Sequence, residues 1–349
     1  MPTPHDQIPD IRGYATYRDN PLAWYEGHSG VLCDHEDCPA WARRVARYDR
    51  DQFIAHAGVN RYRVESVFPS ELAGTGEGKK SINHLHVLDY IPTAYDGNQD
   101  YNNCRSWSMK FSTMTVLGMD IASGDLHRSE FRHGTALVYG SRKSSSDSGM
   151  TMSRGCEIVT KTGQSEQKDY GFVDLSSEKN DEAYGMNWGR SGPPAQLVEA
   201  VKGDVIERAY WVESPTAAIM KDLFYNQSTL DTGSNLTGSG PGNPLVGLRS
   251  IGGHAQAATG YDDTDECRAR LNLPAGESVV FMQQSWPVNW ITINGWPTDL
   301  WGPRPEGCWP ITMTNFLKIA RNWNDTWCIV GLRGFVARRL PDWGSQIYL

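Results

Sequence analysis

The clearest periodic signal begins at Cys104, where CRSWSMKFSTMTVLGMD sets Trp107, Phe111, Met114 and Leu117 or Gly118 at helical spacing. An amphipathic helix is expected to start at that cysteine and bury the stripe. Further helical patterns cover about 150–161 and 194–201, and another, 216–225, is entered through Ser214-Pro215. INHLHVLDYI (82–91) alternates and predicts a strand, whereas LDTGSNLTGSGPGNPLVG (230–247) reads as a Gly/Ser/Pro-rich loop. After that loop, HAQAATGYD, SVVFMQQSW and WCIVGLRGFVARRL read as short strands. Helices first and strands second give an α+β fold.

Residues 1–80 are polar and rich in Asp, Arg and Tyr. Within them, Trp41, Val45, Tyr48 and Phe53 share one face of a helix-like stretch, and ELAGTGEGKK (71–80) reads as a turn or linker. The expected organisation is an N-terminal extension, 1–80, and a main domain, 81–349. That domain is mainly helical to about 205 and strand-rich beyond.

With 39% hydrophobic and 21% charged residues, 13 Trp and 35 Gly, the composition is that of a loop-rich globular chain. The net charge of -8, with both signs mixed along the chain, argues against nucleic acid as a partner. Apolar runs are too short for a bilayer span, so no membrane partner is expected. The start, MPTPHDQIPDIRG, lacks the basic-then-apolar layout of an export signal. A cytoplasmic or virion location is the matching expectation. Seven cysteines are an odd number and widely spread, which argues against a full disulfide framework.

Cys104 is the first candidate for chemistry, because a helix N-terminus lowers a thiol pKa through its dipole and unpaired amides. Three ordered segments resemble the papain family of cysteine peptidases. GNQDYNNCRSWSMKFS is similar to the family's Gln, Cys and aromatic on a long helix, matched by Gln99, Cys104 and Trp107. SIGGHAQAATGYDD is similar to its histidine strand, with His254 followed by the small residues Ala255, Ala257 and Ala258. VVFMQQSWPVNW resembles its Asn-Ser-Trp-Gly strand, with Gln284, Ser285 and Trp286 in place and Pro287 where the family has Gly.

The resemblance implies a papain-like fold over about residues 85–349, a helical subdomain carrying Cys104 against a barrel-like one carrying His254. It implies acyl transfer by a Cys104 thiolate paired with a protonated His254, with Gln99 as an oxyanion donor and Gln284 orienting the imidazole. Asn289 is the alternative orienting residue. It also implies substrate-binding roles for Trp286 and for Met150 or Met152, in a loop-then-helix similar to the family's main specificity pocket.

Other clusters are weaker. Cys33 and Cys38, with His28 nearby, lack the C-x₂-C spacing of common zinc sites, and His84 and His86 share a strand face without a third ligand. GSGPG and GTGEGKK lack the context of a nucleophile elbow or a phosphate loop. No metal and no cofactor is expected. Two functional readings follow, a thiol peptidase acting on a polypeptide substrate or a papain-shaped structural or binding protein with a protein partner, for example in a bacteriophage particle. Residues 1–80 would serve as a lid over the cleft or as an arm for an assembly partner.

Overall fold

The computed structural model describes residues 31–32, 63–124, 126, 131–144, 146–202, 206, 208–286 and 290–331. In chain order these form β1 (Val31–Leu32), α1 (Val64–Val67), β2 (Lys80–Ile82), α2 (His84–Leu88), α3 (Cys104–Ala122), α4 (Ala136–Gly140), β3 (Met150–Thr151) and α5 (Met152–Lys161). Then come α6 (Glu178–Trp188), α7 (Ala195–Ala200), β4 (Arg208–Trp211), α8 (Ala217–Tyr225), β5 (Ser228–Ser239), β6 (Gly247–Asp262), α9 (Asp265–Leu271), β7 (Val279–Gln283), α10 (Thr298–Trp301), β8 (Cys308–Thr312), α11 (Met313–Asn322) and β9 (Asp325–Val330). The α+β expectation holds: a helical layer is followed by an antiparallel sheet. Among the described residues no helix is long and apolar enough to cross a membrane.

The sheet runs β4-β9-β5-β6-β7-β8, and β2 joins β6 beyond the end of β5. Because side chains alternate across a strand, β6 serves two cores. Ala257 faces a cluster with Trp107, Phe111, Leu137 and Val159 from the helices, while Ala258 joins Leu230, Met282, Phe224 and Phe316 on the opposite face. The small residues after His254 therefore let α3 lie close against the strand.

Helix α3 begins at Cys104 and buries the expected stripe, but it is enclosed on its other faces too, so Arg105, Ser108, Lys110 and Thr115 are also buried. Helices α2, α4 and α5 and strands β5, β6 and β9 all pack against it. Helices α5 and α8 start where Thr151 and Thr216 accept from the backbone N–H of Arg154 and Ile219.

The expected strand at 82–91 is replaced by three strand residues, Lys80–Ile82, followed by α2. Gly260, at φ +154°, admits β2 so closely that a Cβ there would lie 2.3 Å from Ser81 O. Val87 of α2 then packs where Gly118 of α3 has no side chain; a Cβ would lie 2.6 Å from Val87 Cγ2. Burial on every face overrides the local alternation, and His84 and His86 sit on a helix rather than on one strand face.

The expected loop at 230–247 is mostly the long strand β5, paired with β6 and β9 on its two edges. Its polar side chains find buried partners, Asp231 with Arg105, Thr232 with Thr326, and Thr237 with Gln256. Once those are satisfied, the ladder hydrogen bonds outweigh a weak strand propensity.

Residues 63–80 lie on the strand-rich part. Val64 is buried among Tyr210, Met220 and Tyr261, and the amides of Gly74 and Gly76 both donate to Asp222 at 2.8 Å. The segments 38–56 and 332–349, and with them Cys33, Cys38, His28 and Asn289, fall outside the described residues.

Candidate active site

Cys104 opens α3 and is fully buried, in a cluster with Met152, Ala255 and Trp323. The backbone N–H of Ala255 points at its sulfur, N to Sγ 3.4 Å. The thiol thus reaches β6 one residue from His254, across the junction of the helical layer and the sheet.

His254 pairs in register with Ser234 at the edge of an irregularity in the β5–β6 ladder. Its ring stacks on Trp286, with centroids 4.4 Å apart and planes inclined by 30°. Trp286 is braced in turn by Trp290, edge to face at 5.3 Å. Burial drives the imidazole pKa down to about 3, and the Gln284 side chain opposes this by hydrogen bonding to the charged form. That orienting contact is loose: His254 Nε2 and Gln284 Nε2 each lack a partner at normal distance among the described residues, and Gln284 Oε1 lies 3.4 Å from Thr237 Oγ1. In this closed arrangement the ring is neutral at physiological pH.

Gln99 comes to the same region. Its N–H donates to Ser285 O at 2.8 Å, and its Oε1 accepts from Ser285 Oγ at 2.5 Å. Its Nε2 carries two hydrogens, one of which goes to Tyr101 O at 3.0 Å. The loop before Cys104 and the strand end after Gln284 are therefore tied together.

Met152 packs directly against Cys104, while Met150 lies in the helical core at 3% exposure. Trp286 has its face on His254 and is 2% exposed. None of the three borders open solvent here. A cavity of about 590 Å³, lined by residues such as Leu88, Asp96, Arg304 and Glu306, holds none of the candidate residues.

Sequence reasoning missed Arg105 and the Ala255 amide. Arg105 is enclosed beside Cys104 in the chain and donates to Asp231, to Met152 O at 2.7 Å and to Cys156 Sγ at 3.1 Å. It joins α3, α5 and β5 at one point. The only signal in the sequence was a charge within a helix that is otherwise uncharged for its first turn.

The described cysteines 104, 156, 267, 308 and 328 are unbridged, and burial lifts the Cys308 and Cys328 thiols to about 12. Among the described residues no three His, Cys, Asp or Glu side chains gather as a metal site. Strand β1 pairs in parallel with β3, Leu32 opposite Thr151, and also lies against β5 and β6. Strand β1 is thus laid one residue from Met152 along β3.

No family model matches the sequence, and no curated protein matches it. Among solved structures, the chain is similar to xylellain, a cysteine protease from Xylella fastidiosa, at 15% identity and TM-score 0.49, covering 76% of this chain and 90% of that one. It is similar to a procathepsin B from Trypanosoma congolense at 12% identity and TM-score 0.46, covering 90% and 97%. The bromelain protease of Ananas comosus is similar at 13% identity and TM-score 0.41, covering 70% and 96%. Identities this low and scores below 0.5 leave any reading of function to the chain's own residues.

Proposed function

We propose that the chain is a papain-like thiol peptidase in a closed state, with Cys104 as nucleophile and His254 as its base. The observation that carries this reading is the Ala255 N–H to Cys104 Sγ contact, which sets a cysteine at a helix start one residue from a histidine stacked on tryptophan. On opening, neutral His254 takes the thiol proton as Sγ attacks the carbonyl carbon of a peptide bond. The backbone amide of Cys104 and Gln99 Nε2 would receive the oxyanion. Collapse breaks the C–N bond while His254 returns its proton to the departing amine. Water, deprotonated by the same ring, then releases the acid and restores the thiol.

A second reading, a catalytically silent structural or binding protein, is favoured by one observation: sulfur and imidazole are both sealed from solvent, at 0% and 1% exposure. The test is a thiol-directed peptidyl electrophile applied from acidic to mildly alkaline pH in a Cys33→Ser/Cys38→Ser background, with adducts located by mass spectrometry. Rapid modification confined to Cys104 and abolished by His254→Ala is the expected result. Slow modification that rises only near pH ~8.5 and ignores His254→Ala, as for an ordinary thiol, would transfer the case to the silent reading.

A further inference from the structure

Asn103 occupies the cap position of α3 without capping it; its Nδ2 donates away, to Glu182 Oε1 at 2.6 Å. The loop leading to the nucleophile is instead held through its own backbone. Asn98 N donates to Glu178 Oε1 at 2.7 Å, Asp100 N to Glu182 Oε2 at 2.7 Å, and Asn102 N to Asp147 Oδ1 at 2.8 Å. Between the first two, Gln99 N goes to Ser285 O, and Ser285 Oγ returns to Gln99 Oε1. This is the alternation of an extended chain, with one edge presented to carboxylates and the other to the strand end that carries Gln284 and Trp286.

Glu178 and Glu182 are four residues apart, so α6 offers both on one face. Glu182 is 1% exposed, and its two oxygens take three donors, since Trp107 Nε1 also reaches Oε1 at 2.5 Å. Asp147 is anchored by Tyr139 OH and takes Asn102 by both its backbone N–H and its side-chain amide. Hydrogen bonds from amides to carboxylates are about twice as strong as neutral ones.

We propose that Glu182, supported by Glu178 and Asp147, is a positioning residue: the three form a carboxylate clamp that fixes Gln99 and Cys104 as one unit. The consequence for reactivity rests on the thiol-peptidase reading; the clamp itself does not. They act on the reacting centre through the backbone of the 98–102 loop that leads to it. The arrangement is costly, which sets it apart from filler. Burial and Glu178 lift the Asp100 pKa to about 6, and burial and Asp100 raise that of Glu182.

The test is Glu182→Gln in the full chain, which keeps an oxygen for Asn103 and Trp107 but removes the acceptor for Asp100 N. Hydrogen exchange of the 98–103 segment, followed by mass spectrometry, is expected to accelerate about tenfold with the rest of the chain unchanged. Modification of Cys104 by the peptidyl electrophile is expected to show a maximal rate about tenfold lower with half-saturation unchanged. Glu178→Gln, at a half-buried position that accepts from Asn98 N, gives a smaller change of the same sign and serves if Glu182→Gln does not fold. Unchanged loop exchange in a folded variant overturns the clamp. Accelerated exchange with an unchanged maximal rate overturns the positioning role. A parent protein whose Cys104 modification is unaffected by His254→Ala overturns the peptidase reading and the positioning role together, and is recognised before any clamp variant is made.

Discussion

Replacing His254 by Gln should alter the acid limb of the stability profile in a way that the buried imidazole alone accounts for. The ring is neutral in the fold because burial holds its pKa at about 3, against an ordinary value of 6.5. Unfolding releases it to water, where it takes up a proton at any pH below about 6.5. Its contribution is therefore complete above pH 6.5 and is lost progressively as pH falls toward 3. Linkage sets the slope: the unfolded state binds one more proton than the native state in this window, so wild type loses about 1.4 kcal/mol per pH unit that the Gln variant does not. Raised carboxyls such as Asp100 titrate in the opposite sense, but they are common to both proteins and cancel in the difference. Urea unfolding at pH 7, 6, 5 and 4 gives the two curves. A wild-type advantage that shrinks by about 2–3 kcal/mol between pH 6 and pH 4 is expected from that slope. Parallel curves would refute the neutral, buried ring and with it the account of the closed state.

Other perturbations probe the same region. Asp231→Ala leaves the Arg105 guanidinium enclosed without its carboxylate and should cost about 3–5 kcal/mol in urea unfolding; less than about 1 kcal/mol would mean that Arg105 finds water. Trp286→Ala removes the face on which His254 rests, and should slow electrophile modification of Cys104 by about tenfold while leaving Cys308 and Cys328 inert. Val31→Pro with Leu32→Pro removes both N–H donors of β1, one of which the alternation of the strand turns toward β3, and faster modification of Cys104 is expected if β1 helps to close the site; an unchanged rate would exclude it. Gly118→Ala sets a methyl group against Val87 and should cost about 1–3 kcal/mol by overpacking, read as a lowered urea midpoint.

What could be read in the sequence followed the strength of local signals. Helix α3 was visible because its apolar stripe is regular, α5 because its residues follow a helical pattern, and α8 because Ser214-Pro215 marks its entry. Helices α6, α9 and α11 went unread although Ser177, Thr264 and Thr312 each accept from a backbone amide three residues on; α11 is also amphipathic, burying Met313, Phe316, Ile319 and Ala320, but it is short and lies directly between two strands. Strand β5 was unreadable in principle. Its Gly, Ser, Thr and Asp residues predict a loop, and only partners such as Arg105 and Thr326, more than ninety residues away, make it a strand. Of the candidate site, Cys104, His254, Gln284 and Gln99 were named by order and flanking residues. Arg105, Glu182 and the Ala255 amide were not, because each acts through a contact that no spacing encodes.

The site owes its geometry to two layers that do not share a continuous segment of chain. The sulfur belongs to a helix packed between helices and the sheet, the imidazole to a strand whose other face is a separate core, and the links between the layers include the Ala255 amide, the Gln99–Ser285 pair and the Arg105–Asp231 ion pair. Two of these links, the Gln99–Ser285 pair and the Arg105–Asp231 ion pair, hold the chain on either side of Cys104 against the sheet. A movement that parts the layers at Cys104 would strain the Ala255 contact, which reaches the sulfur itself. Water entering there would also rehydrate His254 and raise its pKa from about 3 toward its ordinary value. On the thiol-peptidase reading, opening and activation are then one event: the closed form holds a neutral imidazole beside a buried thiol, and admitting a substrate would restore the basicity that the chemistry needs.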